Sequence, residues 1–341
     1  MIPAVAKDGD THSMTVRFTR RATLGWLAAA SAGAVPFTSH AQAEWPTKTV
    51  RIIVPFAPGG GADSSARVLG DLLAPLLGQA VIVENKPGAG SAIGVMAAAQ
   101  ARDGHTLLMA SNSMVINPAL NPQIGYDPIA DFDAVGMVSD QPLVLVVPAS
   151  SPIRSMQALV AQAKAKPGQL SAGNSGTGTL AHIASEIFAG QVGAEIVPVA
   201  YKGESALMPD LISGLLGFGF LNLPSVAPHI KAGKLRALAV SSSQPVAELP
   251  GVPTVKSLGY PALEVRGWAA LLAPHGSIAP AGLARLEAAL AKVLASETVK
   301  SKFAMLNVEP VVMDRQATAR FLQAETRRYA DIVKSRGIKA G

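Results

Sequence analysis

Three glycine-rich turns hold the residues that could bind a ligand. The first turn comprises residues 56–63, and its candidate contacts are Phe56, Ala57, Pro58, Gly59, Gly60, Gly61 and Asp63. Glycine has no Cβ to block a ligand, and the free N–H groups at a helix start attract anions. We expect a helix to begin near Ser64 with Asp63 as its N-cap, so this turn could bind a carboxylate. In the alternative interpretation it is a plain tight turn, and Asp63 only caps the helix.

The second turn, residues 171–179, also leads from a strand-like run into a helix, which we expect to begin near Leu180. Its candidate contacts are Ser175, Gly176, Thr177 and Thr179. Two helix N-termini that face each other across a cleft could hold a carboxylate without any arginine, because both carry partial positive charge. The alternative is that these small polar residues only cap the helix.

Polar residues also follow two other apolar runs. Asn85, in the third turn (residues 84–91), could contact a ligand or could only brace the first glycine turn. Ser111, Asn112 and Ser113 follow the strand-like run 106–110. Open α/β sheets bind ligands at the carboxyl ends of their strands, so we predict that these three residues contribute to the same site.

Enzyme chemistry has little support in the sequence. Ser175 does not stand in the G-x-S-x-G pattern of a serine nucleophile, and His182 in the following helix could be a core or surface histidine. The chain has no cysteine, and its six histidines lack the close helical spacing of zinc ligands. We therefore predict no catalytic site, no metal and no cofactor. Scattered basic residues and few aromatic residues argue against nucleic-acid binding.

The elements that must position these turns alternate between strand-like and helix-like runs. Residues 50–55, 80–84 and 106–110 are apolar and β-branched, and helix-like stretches lie between them. This alternation predicts an α/β fold built from βαβ units. A second set of such units follows residue 148, so we predict two lobes with a ligand cleft between them. The first lobe is predicted to comprise residues 44–147 and 266–341, and the second residues 148–265.

The first 43 residues have the pattern of a bacterial export signal. Arg17, Arg20 and Arg21 precede the apolar stretch 24–35, and Ala41-Gln42-Ala43 offers a cleavage site. About a dozen apolar residues are too few to span a bilayer. We therefore predict cleavage near Ala43 and a periplasmic location. The paired arginines fit either the twin-arginine or the general secretion route, and either Met1 or Met14 could be the start.

Several motifs in the chain resemble those of the Bug family, the substrate-binding proteins of tripartite tricarboxylate transporters. The resemblance extends over almost all of residues 45–335. In chain order the motifs are Val54-Pro55-Phe56-Ala57-Pro58-Gly59-Gly60, Glu84-Asn85-Lys86-Pro87-Gly88-Ala89-Gly90, Asp103-Gly104-His105-Thr106, Gly176-Thr177-Gly178 with His182, Tyr201-Lys202-Gly203 and Leu249-Pro250-Gly251-Val252-Pro253. Each motif alone is weak, but their order and spacing are specific.

The resemblance implies a type II periplasmic-binding-protein fold, whose lobes close on a small carboxylate held by loop amides and ordered water. By position it adds Ala200, Tyr201, Gly203 and Asn222 to the candidate contacts. It also implies a monomer that delivers its ligand to transporter subunits in the membrane. Two alternatives stay open: a sensor that engages a sensor-kinase ectodomain, and an extracytoplasmic hydrolase or isomerase that uses His182.

The chain departs from the family's pattern in the second predicted lobe. Leu215, Gly217 and Leu221 stand where the family usually has polar residues. If these positions line the cleft, its floor is more apolar than usual. We expect such a floor to favour an aromatic or aliphatic monocarboxylate over a ligand with a second carboxylate or an amine.

Overall fold

The computed structural model describes residues 44–338. The predicted export signal lies outside the described residues, and with it Arg17, Arg20, Arg21, the cleavage site at Ala43 and both candidate start methionines. Residues 44–338 fold into a mixed α/β structure around a ten-stranded sheet. Within this range no helix is long and apolar enough to cross a membrane.

The strands coincide largely with the apolar and β-branched runs of the sequence. In chain order they are β1 (Val50–Val54), β2 (Val81–Asn85), β3 (Thr106–Ser111), β4 (Phe132–Pro148), β5 (Ser171–Asn174), β6 (Val197–Ala200), β7 (Phe218–Asn222), β8 (Leu235–Val240), β9 (Arg266–Pro274) and β10 (Glu309–Pro310).

Ten α-helices lie between or after these strands in the described range. They are α1 (Gly61–Leu77), α2 (Ala92–Ala99), α3 (Asn112–Leu120), α4 (Met156–Ala165), α5 (Leu180–Val192), α6 (Glu204–Ser213), α7 (Leu223–Lys231), α8 (Pro280–Ala295), α9 (Glu297–Met305) and α10 (Arg315–Arg336).

The long strand β4 joins two groups of strands. The sheet order is β2-β1-β3-β9-β4-β7-β5-β6, and β8 and β10 also pair with β4. Residues 132–142 of β4 pair antiparallel with β9, whereas residues 143–148 pair with β7 and β8. The predicted lobe boundaries stay a prediction, and the strand changes its partners after Pro142.

Alternating side chains on the buried strands feed two different apolar clusters. Ile52 and Leu107 pack with α1, α8 and α9, whereas their neighbours Ile53 and Leu108 pack with α2, α3 and α10. Successive strand residues point to opposite faces, so a strand covered on both faces is apolar throughout. A third cluster packs α6 and α7 against β4, β7 and β8. Each fully buried aliphatic side chain contributes about 1.5–3 kcal/mol.

Candidate functional site

Five helices begin at the walls of one cleft. Its volume is about 780 Å³ with the open mouth included, and the N-cap residues of α1, α3, α5, α6 and α7 all line it. These N-caps are Gly60, Ser111, Thr179, Gly203 and Asn222. The first N–H groups of a helix have no partner within the helix and carry partial positive charge. The cleft is therefore suited to an anion.

The side chains that line the cleft are mainly small and neutral. Glu204 is the only ionisable residue among the lining residues that the structure describes, and no lysine, arginine or histidine is present there. The hydroxyls of Ser65, Ser111, Ser113, Ser139 and Ser175 line the cleft without a hydrogen-bond partner in residues 44–338. Three of these serines, Ser65, Ser113 and Ser139, are only 2% exposed. In the cleft these hydroxyls can form hydrogen bonds with water or with a polar ligand.

Eleven of the nineteen predicted contact residues line this cleft. They are Phe56, Ala57, Gly60, Gly61, Ser111, Asn112, Ser113, Ser175, Thr179, Gly203 and Asn222. The other eight lie outside the lining: Pro58, Gly59, Asp63, Asn85, Gly176, Thr177, Ala200 and Tyr201. The sequence thus located both glycine turns at one site, and which of these residues touch a ligand stays a prediction.

The first glycine turn differs from its prediction in where the helix starts. Helix α1 begins at Gly61 with Gly60 as N-cap, so Asp63 is the third helical residue and not the N-cap. Its Oδ2 accepts hydrogen bonds from the Gly59 N–H and from Arg67 Nε, both at 3.0 Å. Burial alone would raise the pKa of Asp63, but hydrogen bonds from Arg67, Gly59 and Asn85 outweigh it and lower that pKa. Asp63 is therefore an anion that stabilises the turn from outside the cleft lining.

Asn85 braces the same turn and does not reach the cleft. Its Nδ2 donates to the Phe56 carbonyl at 3.0 Å and to Asp63 Oδ1 at 2.9 Å, and its Oδ1 accepts from Arg67 at 3.2 Å. These bonds use the side chain's donors, so no donor is left for a ligand. The bracing interpretation of Asn85 is the one that this geometry supports.

The second glycine turn is closed by its own threonine. Thr179 Oγ1 donates to the Gly176 carbonyl at 2.7 Å and accepts from the His182 N–H at 3.4 Å, as an N-cap does. The next two residues, Leu180 and Ala181, also line the cleft, at the N-terminus of α5. The turn therefore offers backbone N–H groups and the hydroxyl of Ser175 rather than the Thr177 side chain.

His182 supports this turn from inside the protein. It lies in the first turn of α5, is 4% exposed, and does not line the cleft. Its Nδ1 is 3.3 Å from the Gly178 nitrogen, which donates to it. Burial lowers the pKa of His182 and so favours the neutral ring, whose Nδ1 can accept this bond. The hydrolase hypothesis therefore loses its candidate base.

Asn112 lines the cleft, but its amide is committed to the protein. Oδ1 accepts from the Trp268 N–H at 3.0 Å, and Nδ2 donates to the Arg266 carbonyl at 3.0 Å and to Tyr329 Oη at 3.1 Å. The Trp268 indole N–H in turn donates to Glu325 at 3.0 Å. Asn112 thus joins the N-terminus of α3 to β9, and its side chain positions the cleft wall.

The three positions that were expected to form an apolar floor do not line the cleft. Adjacent strand residues point to opposite faces of the sheet, and Asn222 faces the cleft. Leu221 therefore points the other way and is fully buried among the side chains of α6 and α7. Leu215 is 71% exposed, and neither it nor Gly217 lines the cleft. Tyr201 likewise points elsewhere, and its hydroxyl donates to Asp210 at 2.6 Å. These positions give no reason to expect an aromatic ligand.

Ten lining residues were not predicted. They are Ala62, Ser65, Ser139, Gln141, Leu180, Ala181, Glu204, Gly267, Trp268 and Ala269. Ser139 and Gln141 are polar residues near the middle of the mainly apolar strand β4, and the register pairs Ser139 with Ala269 of β9. A polar residue in a buried strand is the one signal in the sequence that could have marked them.

Comparison with known proteins identifies the family. The chain matches the "Tripartite tricarboxylate transporter family receptor" over residues 65–338. Protein BugT of Bordetella pertussis (strain Tohama I) is 37% identical over 321 residues, which cover 93% of this chain and 97% of BugT. The structure of the periplasmic binding protein BugD has a TM-score of 0.82 and 29% identity, and the match covers 86% of this chain and 99% of BugD. The R. palustris protein Rpa4515 with adipate also has a TM-score of 0.82, with 31% identity and coverage of 86% and 99%.

These likenesses confirm the resemblance to the Bug family and the predicted periplasmic-binding-protein fold. The family consists of solute receptors, which confirms the prediction that the chain is not an enzyme. The chain belongs to the tripartite tricarboxylate transporter receptor family.

Proposed function

We propose that this protein captures a small carboxylate in the periplasm and delivers it to a membrane transporter of the tripartite tricarboxylate type. The observation that carries the proposal is the meeting of five helix N-termini at a cleft whose lining, within residues 44–338, contains serine hydroxyls and no basic side chain. Such a site neutralises one carboxylate with N–H groups and helix dipoles. The adipate complex of the related R. palustris protein supports a carboxylate as the ligand class.

Capture is proposed to occur by closure of the two predicted lobes, residues 44–147 with 266–341 and residues 148–265. Residues from both lobes line the cleft, and several contacts cross between them. Ser205 Oγ donates to the Pro58 carbonyl at 3.4 Å, and the Gly90 and Gly176 backbones approach so closely that a Cβ on Gly90 would collide with the Thr177 carbonyl. A transporter could then distinguish the closed, loaded form from the open form.

The test uses purified residues 44–341 in a thermal-shift screen. The panel contains mono-, di- and tricarboxylates, with the corresponding neutral amides as controls. A ligand at 100 times its dissociation constant stabilises the protein by about 2.7 kcal/mol. Stabilisation by a carboxylate but not by its fully amidated form, with the ligand recovered intact, supports the proposal. No stabilisation by any acid contradicts it, and turnover of the acid would revive the enzyme hypothesis.

A further inference from the structure

Within the part of the chain that the structure describes, the one ionisable residue of the cleft lining is itself a carboxylic acid. Glu204 is the first residue of α6, directly after the N-cap Gly203, and is 8% exposed. Its Oε1 accepts two hydrogen bonds from Asn222, from the backbone N–H at 3.0 Å and from Nδ2 at 2.9 Å. Asn222 is the N-cap of α7, so the Glu204 carboxyl lies between two helix N-termini.

This position is one that a ligand carboxylate would otherwise occupy. A carboxylate in a cleft of this kind is held by N–H donors at helix starts, and Asn222 supplies two such donors. Both are already directed at Glu204 Oε1. Neither bond reaches the other oxygen, Oε2, and the buried Ser225 hydroxyl lies beside the carboxyl, where hydrogen bonding to it lowers the pKa of Glu204.

We propose that Glu204 fills a second anion position of the cleft from within, so that the protein selects a monocarboxylate and excludes the dicarboxylate of the same shape. The far end of the selected ligand is an amide, a hydroxyl or an ammonium group that donates a hydrogen bond to Glu204 Oε2. This inference rests on the proposed carboxylate-binding function. It sets this chain apart from its R. palustris relative, whose structure holds the dicarboxylate adipate.

Charge and burial give the selection its strength. Two carboxylates brought together away from water repel each other, whereas a donor facing Oε2 supplies a further hydrogen bond. Burial raises the pKa of Glu204, although hydrogen bonds from Asn222 and Ser225 lower it in part. Among the described residues of the lining, no charged group faces Glu204 to offset its charge.

The test compares matched ligand pairs by isothermal titration calorimetry at neutral pH. The pairs are linear dicarboxylates, succinate, glutarate and adipate, each with its own monoamide. The members of a pair have nearly the same length and shape and differ in one charge. We expect the wild-type protein to bind the monoamide at least about tenfold more tightly than the diacid, since like charges are opposed in the diacid complex.

Two variants then reverse the preference. Glu204→Gln keeps the shape of the side chain, the acceptor for Asn222 and a donor for the ligand, and it should bind the diacid at least about tenfold more tightly than wild type does. Glu204→Ala frees both Asn222 donors and should favour the diacid over the monoamide. The matched control is Glu186→Gln, which removes the same charge from a half-buried carboxyl of α5 outside the cleft and should keep the wild-type preference.

The possible results distinguish the role of Glu204 in ligand selection from carboxylate binding itself. Equal or tighter wild-type binding of the diacid, or an unchanged preference in Glu204→Gln, overturns the role of Glu204 and leaves carboxylate capture standing. Failure of every acid and monoamide to bind the wild-type protein overturns carboxylate capture and the inference together. If Glu204→Ala does not fold, Glu204→Gln alone decides.

Discussion

The side chain of Asn117 lies directly against the Cα of Gly178. A Cβ at Gly178 would collide with Asn117 Oδ1, and Asn117 Nδ2 donates to the Gly90 carbonyl at 2.8 Å. Asn117 belongs to the first predicted lobe and Gly178 to the second, so this close approach lies between the two sides of the cleft. Gly178 also has φ of +80°, a conformation that residues with a Cβ rarely adopt.

Gly178→Ala should therefore weaken ligand binding. The added methyl group pushes against Asn117 and keeps the two sides apart, and overpacking of this kind costs about 1–3 kcal/mol, or roughly fivefold to a hundredfold in affinity. Isothermal titration with the best ligand from the thermal-shift screen measures the effect.

Gly193→Ala provides the matched control for this prediction. Gly193 has a similar φ of +63° at the end of α5, but no atom lies within 4 Å of the Cβ that alanine would add. It should lose stability through backbone strain and keep its affinity. Adding Asn117→Ala to Gly178→Ala removes the collision and should restore part of the binding. Equal affinities for Gly178→Ala and wild type would show that this contact does not control closure.

Asp63→Asn should destabilise the protein by about 1–3 kcal/mol, because it weakens the charge-assisted hydrogen bonds from Arg67 and disturbs those from Gly59 and Asn85. Asp63 has a lowered pKa, so its contribution is present at neutral pH and is lost as the pH falls below the ordinary value of 3.8. Urea denaturation of both proteins at neutral and acidic pH measures this difference.

Asp71→Asn is the control, since it neutralises an exposed carboxylate on the same helix. It should leave the free energy of unfolding nearly unchanged. A loss of stability that is equal for Asp63→Asn and Asp71→Asn would mean that the bonds behind the glycine turn contribute nothing specific.

The sequence predicts the turns of this site better than its walls. The glycines and small polar residues of both turns carry their conformational requirements locally, so residues 56–63 and 171–179 could be placed at one cleft. Asp63 was misassigned because Gly60 serves as the N-cap without a side-chain hydrogen bond, and the helix starts earlier than expected. Local patterns do not reveal such a cap.

The missed wall depends on pairing between distant segments. Ser139 of β4 faces Ala269 of β9 only because the two strands pair antiparallel, and a bulge lies between Met137 and Ser139. No local periodicity fixes such a register. The orientation of Leu221 failed for a related reason: a shift by one residue moves a side chain to the other face of the sheet, and Asn222 is the residue that faces the cleft.

Lowering the pH should loosen the second glycine turn through His182. Burial lowers the pKa of this histidine, so its contribution to stability is complete above the ordinary value of 6.5 and is lost as the pH falls below it. Protonation of Nδ1 removes the acceptor for the Gly178 N–H. Thermal melts from neutral to mildly acidic pH should show a steeper loss for wild type than for His182→Asn.

His275→Asn is the control for histidine content, because the His275 side chain is 69% exposed. His275→Asn removes a histidine from a surface pair with Asp133 and leaves the hydrogen bond from the Gly178 N–H to His182 in place. If the melting temperatures of wild type and His182→Asn change with pH in parallel, His182 does not cause the loss of stability at low pH.

The pH dependence of stability that Glu204 causes in the ligand-free protein should be opposite to that caused by His182. Burial raises its pKa above 4.5, so ionising Glu204 costs the folded protein stability, and that stability is lost as the pH rises through the folded-state pKa. Glu204→Gln has no charge to bury and keeps an acceptor for Asn222. Its melting temperature relative to wild type should therefore increase from mildly acidic to mildly alkaline pH. This measurement needs no ligand, so it is independent of carboxylate binding. A melting-temperature difference between Glu204→Gln and wild type that stays constant across the pH range would show that ionisation of Glu204 does not destabilise the folded protein.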